Sequence, residues 1–399
     1  MRILISAFGT RGDVQPMVAL ARVLAHRRHE VLLFVPPNFA AWARRLGLDP
    51  IPVGTDFEQF FALHGEKLWG AIPTVKREIR LRIEAMQPFA ETADVFLSAA
   101  VCVSSSLFAD RYRKPGRYIA FSPSLMRSDD YPSPMTPWQR LPRPLNHLSW
   151  QVEKNLWNLL FLRTFNQVRT RAGAPMARDA MDSIRGQVCI IASEKTLAAP
   201  GSDHVGAFIQ TGAWFFDDPE EVPTGVEVFL QAGSPPVFIG FGSMTDSRPA
   251  ETIERLFEAI RLAKVRAIIA RGWAGLEASE LPAGVMIAGT TPHAKVFPRC
   301  AAVVHHGGAG TLHQALRAGV PQIVAPHLVD QFFWSERLGR AGLTPGALVR
   351  ADIDPARFAS LLRRCVDDQE LRTRCREFAR GMELDGLDKA VALIEGLKK

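Results

Sequence analysis

Residues 303–311 read V-V-H-H-G-G-A-G-T: a β-branched run, two adjacent histidines, then a Gly-Gly-Ala-Gly-Thr turn, with helical character following over 312–318. A buried strand that ends in a glycine-rich turn and opens a helix suits phosphate. Glycines let the backbone approach an anion, and the first free N–H groups of the helix point at it with the positive end of the dipole. Neighbouring strand residues point to opposite sides, so one histidine faces ligand and the other the core. The ligand side is assigned to His306 and Thr311, with Gly307, Gly308 and Gly310 supplying the close approach. A zinc site drawn from His293, His305, His306, His313 and His327 competes, but it has no i,i+4 histidine pair and no cysteine at ligand spacing.

Three further loops sit at the carboxyl ends of expected strands, where open α/β sheets bind ligands. In Gly9-Thr10-Arg11-Gly12-Asp13, Asp13 reads equally as N-cap of the next helix, with Pro16 tolerated in its first turn, and as a general base. Gly240-Phe241-Gly242-Ser243-Met244 offers backbone N–H groups and the Ser243 hydroxyl to phosphate. Past residues 322–325, the pair Asp330-Gln331 suits the hydroxyls of a polyol, the competing role for Asp330 being a helix cap.

The elements that must position these loops follow from periodicity. Expected strands at 2–8, 30–34, 49–53, 94–97 and 118–121 alternate with helices at 14–26, near 39–46 and around 104–113. A proline-rich run, 123–144, reads as a long functional loop. Trp150, Trp157, Phe161 and Phe165 then recur at near-helical spacing, suited to core packing or to the wall of an apolar acceptor pocket. A second series has strands at 237–240, 265–270, 285–288, 302–305 and 322–325, with helices at 250–263 and 312–318. Residues 216–236 have a linker composition, so two α/β domains joined near residue 225 are expected.

Composition sets bounds. At 399 residues the chain exceeds what one hydrophobic core usually supports, so two domains are the expectation. A net charge of +7 fits an anionic small ligand, an acidic membrane surface or nucleic acid alike, and the scattered basic residues resemble no nucleic-acid module. Five dispersed cysteines make no metal or disulfide pattern, which suits a reducing cytoplasm. No stretch approaches the ~20 apolar residues that span a bilayer, and a solvated helix face is the more ordinary reading of the basic segment 76–82 than peripheral membrane contact.

The ordered set G-T-R-G-D-V-Q-P (9–16), F-G-S-M (241–244), P-H-A-K-V-F-P (292–298), H-H-G-G-A-G-T (305–311) and D-Q (330–331) resembles the family 1 nucleotide-sugar-dependent glycosyltransferases, over essentially the whole chain. The branch is that of the bacterial natural-product and sterol glucosyltransferases. The resemblance implies the GT-B fold: two Rossmann-like α/β/α domains facing across a cleft, an acceptor domain over 1–220 and a nucleotide-sugar domain over 236–385, with a final helix in 386–399 crossing back to the first. It implies Asp13 as catalytic base, and Ser243, His306, Gly308, Gly310 and Thr311 at the diphosphate. Asp330 and Gln331 would read the sugar, while Thr291, His293 and Gln314 would meet the nucleoside. Thr290 stands where plant relatives have a base-stacking Trp, and Gln314 where they have a ribose-binding Glu, which leaves UDP and dTDP both open. Arg28 replaces the usual Gly at the end of the first helix.

The expected reaction is an inverting, metal-independent transfer of a hexose from UDP- or dTDP-sugar, a co-substrate and not a cofactor, to a hydroxyl of an apolar or planar small molecule. A sterol or lipid acceptor is the alternative. A non-catalytic nucleotide-sugar-binding partner would be expected to lose the base or phosphate residues, and a sugar-nucleotide epimerase would need a second acid/base carboxylate near the sugar. No D-x-D motif suited to a metal–diphosphate is found.

Overall fold

The computed structural model describes residues 1–64, 68–186, 188–217, 219–242, 248–272, 280–348 and 353–398. These form two compact units, Met1–Phe215 with Glu383–Lys399, and Phe216–Met382.

The first unit is built on seven parallel strands in the order β3-β2-β1-β4-β5-β6-β7. They are β1 Arg2–Ser6, β2 Glu30–Val35, β3 Pro50–Pro52, β4 Val95–Ala99, β5 Gly116–Ala120, β6 Val188–Ile191 and β7 Ala207–Gln210. The second unit carries β8 Val237–Gly240, β9 Ala267–Ala270, β10 Val285–Ala288, β11 Ala302–His305 and β12 Gln322–Val324, all parallel, in the order β10-β9-β8-β11-β12. The helices are α1 Arg11–His26, α2 Pro37–Arg45, α3 Phe57–His64, α4 Leu68–Ala90, α5 Ser104–Tyr112, α6 Arg143–Trp157, α7 Arg163–Arg171, α8 Ala180–Arg185, α9 Thr224–Gln231, α10 Pro249–Ala263, α11 His293–Val296, α12 Ala309–Arg317, α13 Asp330–Arg340, α14 Pro355–Asp367, α15 Gln369–Gly381 and α16 Gly386–Glu395.

Parallel strands are covered on both faces, which is why they read as unbroken apolar runs. In β8, Val237 and Ile239 pack with Leu256 and Phe358 of α10 and α14, whereas Phe238 packs on the other face with Val296, Phe297 and Ala315. The strand orders fix where ligand loops can lie. In each sheet the order reverses beside the first strand, between β1 and β4 and between β8 and β11. The carboxyl ends there diverge and leave a crevice. The loops carrying Asp13, Gly242 and His306 follow β1, β8 and β11.

Several expectations change. Residues 216–236 are not a linker: α9 lies inside them, and its Val226 and Leu230 are buried against Phe238 and Phe297 of the second unit. The aromatic series packs inward, Trp150, Phe161 and Phe165 being buried, and a π turn, Asn158–Leu162, joins α6 to α7. The last two residues of the proline-rich run open α6. The basic segment 76–82 lies in α4 and is not a wholly solvated face, because Glu78, Ile79 and Arg82 are buried, Lys76, Arg80 and Leu81 are half-buried and Arg77 is exposed. Among the described residues no helix is long and apolar enough to cross a membrane.

The chain's final helix belongs to the first unit. Gly386 packs so closely on the Gly212–Ala213 backbone that a Cβ there would meet Ala213 O at 2.5 Å. At the other end, Glu395 accepts from Arg27 Nη1 at 3.1 Å and lies 3.0 Å from His29 Nε2. Between those two residues, Arg28 sits at φ 63°, the left-handed region that favours glycine. Arg28→Gly is therefore expected to stabilise the protein by ~1 kcal/mol, read as a higher midpoint in thermal unfolding; a lower midpoint would contradict it.

Candidate functional site

In the first unit the chemistry lies in the loop after β1. Asp13 is not the N-cap of α1. Thr10 is, and Asp13 is the third helical residue of a capping box, its Oδ2 accepting from Thr10 N at 3.0 Å. The helix thus starts three residues earlier than periodicity alone suggests, and Pro16 falls in its second turn. Gly9 is required twice over. It holds φ 116°, and a Cβ on it would run into Asp13 Oδ2. Asp13 is half-buried. Desolvation pushes its carboxyl up to about 6, against the two Thr10 hydrogen bonds, which pull it down. The carboxylate therefore has a tuned affinity for a proton near neutrality, as a general base needs.

In the second unit, the loops after β8 and β11 lie side by side. His305 is fully buried. Its Nδ1 accepts from Gly307 N at 3.0 Å, so Nε2 carries the proton and donates to Gln322 Oε1 at 2.8 Å. Burial holds its pKa down at about 4, so it is neutral, and its role is to fix the turn. His306 points the other way and is half-buried. A Cβ on Gly242 would lie 2.8 Å from its Cε1, and one on Gly308 would strike its Nε2. Only two glycines let the backbone of both loops close on this ring. Gly308 is the N-cap of α12, so Ala309, Gly310 and Thr311 stand in its first turn, where N–H groups have no helical partner. Gly310 is exposed, and among the described residues nothing outside its own helix lies within 4 Å of a Cβ placed on it. Ser243 lies outside the described residues.

The other assigned residues fall around this turn in varying states. Gln314 stands one turn beyond Gly310 and Thr311 on α12, half-buried. Thr291 is buried, and its Oγ1 has no hydrogen-bond partner among the described residues. His293 stacks on Phe297, with ring centroids 4.4 Å apart, so one ring face is already covered. Asp330 is not a helix cap. It is the first residue of α13, and its Oδ2 accepts from Trp334 Nε1 at 3.2 Å. Gln331 is mostly buried, and its Oε1 accepts from His327 N at 2.7 Å and Leu328 N at 3.1 Å, closing the loop before α13. Val329, just ahead of the pair, holds φ 49°, a costly conformation for a β-branched residue.

The histidines proposed as zinc ligands separate: His313 Nδ1 bonds Ala309 O at 2.7 Å, and His305 is committed to Gln322. Among the described residues no group of three or more His, Cys, Asp or Glu is placed to hold a metal ion. One D-x-D spacing does occur, Asp352-Ile353-Asp354. There Asp354 caps α14, accepting from Arg357 N at 2.8 Å, and Asp352 lies outside the described residues. Sequence reasoning missed two buried groups beneath the Asp13 loop, Glu78 and Arg82, because a charged run on a helix carries no signal of which members turn inward.

Comparisons with known proteins agree with this layout. Residues 3–110 match the model of the glycosyltransferase family 28 N-terminal domain, and 263–392 that of the erythromycin biosynthesis protein CIII-like C-terminal domain. Glycosyltransferase GtfE of Amycolatopsis orientalis is 32% identical over 86% of this chain and 85% of its own. The dTDP-epi-vancosaminyltransferase of the same organism is 30% identical over 86% and 84%. A sterol 3-beta-glucosyltransferase of Arabidopsis thaliana is 29% identical over 98% of this chain and 67% of its own. The solved glycotransferase of kitacinnamycin superposes with a TM-score of 0.75 at 19% identity, covering 99% of this chain and 98% of that one, which shows the fold. The chain belongs to the glycosyltransferases of GT-B fold, in the branch that holds bacterial antibiotic and sterol enzymes, and it transfers a sugar to an acceptor.

Proposed function

We propose that the chain is an inverting, metal-independent hexosyltransferase that uses a dTDP- or UDP-sugar and glycosylates a hydroxyl of an apolar small molecule. The observation that carries this reading is the pairing of two kinds of site in one chain: a carboxylate tuned to about 6 in the first unit, and a glycine-lined histidine at a helix N-terminus in the second. Asp13 takes the proton of the acceptor hydroxyl as its oxygen attacks the anomeric carbon from the face opposite the diphosphate. The bond from that carbon to the diphosphate oxygen breaks, and the electron pair leaves with the diphosphate. His306, Thr311, Ser243 and the N–H groups after Gly308 meet the growing negative charge, which is the task such donors perform best. Asp330, with Gln331 shaping its loop, reads the sugar hydroxyls; Thr291, His293 and Gln314 meet the nucleoside.

Gln314 favours dTDP. A carboxylate accepting from both ribose hydroxyls suits a ribonucleotide, whereas a neutral amide suits a sugar with one hydroxyl fewer. The relative dTDP-epi-vancosaminyltransferase is named for a dTDP-linked sugar. The apolar acceptor is supported by Trp138, 70% exposed on the proline-rich loop, and by the outward face of α6, where Leu145, Leu148 and Val152 are exposed. The same surface supports a sterol or lipid acceptor as the second reading.

A donor screen by thermal unfolding tests the proposal. Ligand that binds only the folded state raises its stability by about 2.7 kcal/mol at a hundred times Kd. A larger shift with dTDP than with UDP is expected, undiminished by EDTA. Absence of a shift with either nucleotide would overturn the reading, and a shift that EDTA abolishes would overturn metal independence.

A further inference from the structure

A buried ion pair lies under the loop that carries Asp13. Arg82 is 1% exposed and Glu78 0%. Arg82 Nη1 donates to Ala7 O at 3.0 Å and Nη2 to Val53 O at 3.2 Å. These carbonyls belong to the residues that continue β1 and β3 beyond their ladders. The guanidinium face covers the Phe8 ring, 4.9 Å from its centroid, and Phe57 closes the ring's edge at 5.0 Å. Glu78 faces Arg82 Nε at 3.8 Å, and its Oε1 accepts from Thr55 N at 2.8 Å and Thr55 Oγ1 at 2.6 Å. Gly54, at φ 86°, leaves no room for a Cβ beside that carboxylate.

Such a pair is a poor source of stability, since desolvating two charges offsets most of their attraction, and an apolar replacement is often as stable. Two orphan atoms sharpen the point: among the described residues, Arg82 Nε and Glu78 Oε2 have no hydrogen-bond partner. What the pair does supply is geometry. A planar guanidinium fork holds two carbonyls at once, which an ammonium does not reproduce. One of them, Ala7 O, is two residues from Gly9, whose α-carbon abuts the Asp13 carboxylate.

We propose that Arg82, braced by Glu78, is a positioning residue for catalysis: it clamps the ends of β1 and β3 and so fixes the Phe8-Gly9 turn that sets the position and burial of Asp13. This rests on Asp13 being the base. The clamp acts through the loop.

The test uses the full chain and three variants, Arg82→Lys, Glu78→Gln and the double Glu78→Gln/Arg82→Met, with Asp13→Asn alongside. Gln keeps an acceptor for Thr55. Thermal unfolding and the shift given by dTDP or UDP report folding and the intact nucleotide site. Misplacing a reacting group by about 1 Å costs up to ~10²-fold. We therefore expect Arg82→Lys and the double variant to lose ~10–100-fold in kcat, with donor KM unchanged. The acidic limb of kcat/KM should move down towards the ordinary carboxylate range as the loosened loop admits water to Asp13. The double variant is expected to be slow while it still folds and gives the wild-type shift with dTDP or UDP, an outcome no purely structural role gives. A folded variant with wild-type kcat and an unmoved limb overturns the inference, provided Asp13→Asn is itself slow. An Asp13→Asn protein at wild-type speed overturns the base assignment and this inference together.

Discussion

Asp13→Asn is expected to lower turnover by ~10²–10⁴-fold, the usual contribution of a general base, while the protein folds normally and binds nucleotide as before. Asn keeps an oxygen acceptor for Thr10 N–H, so the capping box at the start of α1 survives. What disappears is the group able to take a proton. The pH dependence adds a second reading of the same residue. Since burial raises the Asp13 carboxyl from 3.8 to about 6, the free enzyme's kcat/KM should fall tenfold per pH unit below about 6 and flatten above it. Stability runs in the opposite direction. Between 3.8 and about 6 the folded state binds the proton that the unfolded state has released, so Asp13 makes stability decline as pH rises through that window. Asp13→Asn removes that slope, and at neutral pH the variant should unfold at a temperature no lower than the wild type. Steady-state assays from pH 5 to 8 and unfolding midpoints over the same range check both arms. Turnover within a few-fold of wild type would end the base assignment, whatever the unfolding data show.

The fold was legible to the extent that strands buried on both faces write themselves as apolar runs. β8, β10 and β11 coincide with the runs 237–240, 285–288 and 302–305. β6 and β7 were not expected; β7 alternates exposed and half-buried residues at the sheet edge, so it carries no buried apolar run. The linker expected over 216–236 failed for a related reason. Its composition is that of a loop, yet Val226 and Leu230 are enough to seat one short helix. Site residues were legible where the requirement is a backbone one, as in the glycines around His306. Side-chain partners were not. Nothing local says that Asp13 closes a box with Thr10 in place of capping the helix itself, or that Gln331 turns its oxygen onto the His327 and Leu328 N–H groups. Arg82 was least legible of all. Its role depends on carbonyls 75 and 29 residues away, and no spacing in the sequence encodes that meeting.

His306→Ala should cost ~10²–10³-fold in kcat, the loss typical when one donor to a developing oxyanion is removed, with a smaller effect on donor affinity. The imidazole gains most as charge builds on the departing diphosphate, so its contribution belongs to the transition state more than to the bound donor. His306→Gln, which keeps a neutral donor, is expected to recover part of the loss. The geometry supplies an internal control. Gly308 has φ −64° and ψ 137°, a conformation open to any residue, and the obstacle to a side chain there is the His306 ring. Gly308→Ala should therefore impair the wild type by displacing the imidazole, yet add little to His306→Ala, where the ring is gone. The double-mutant cycle must be strongly non-additive. Additive losses would mean that Gly308 is needed for the approach of the phosphate itself, and a His306→Ala enzyme at near wild-type kcat would remove the histidine from the leaving-group site. His305 gives the contrast. Fully buried, neutral and bonded to both Gly307 and Gln322, it should lower the unfolding midpoint when replaced by Ala, because Gln322 then loses a buried partner. Two adjacent histidines at the end of β11 would thus separate cleanly, one read in kcat and the other in stability.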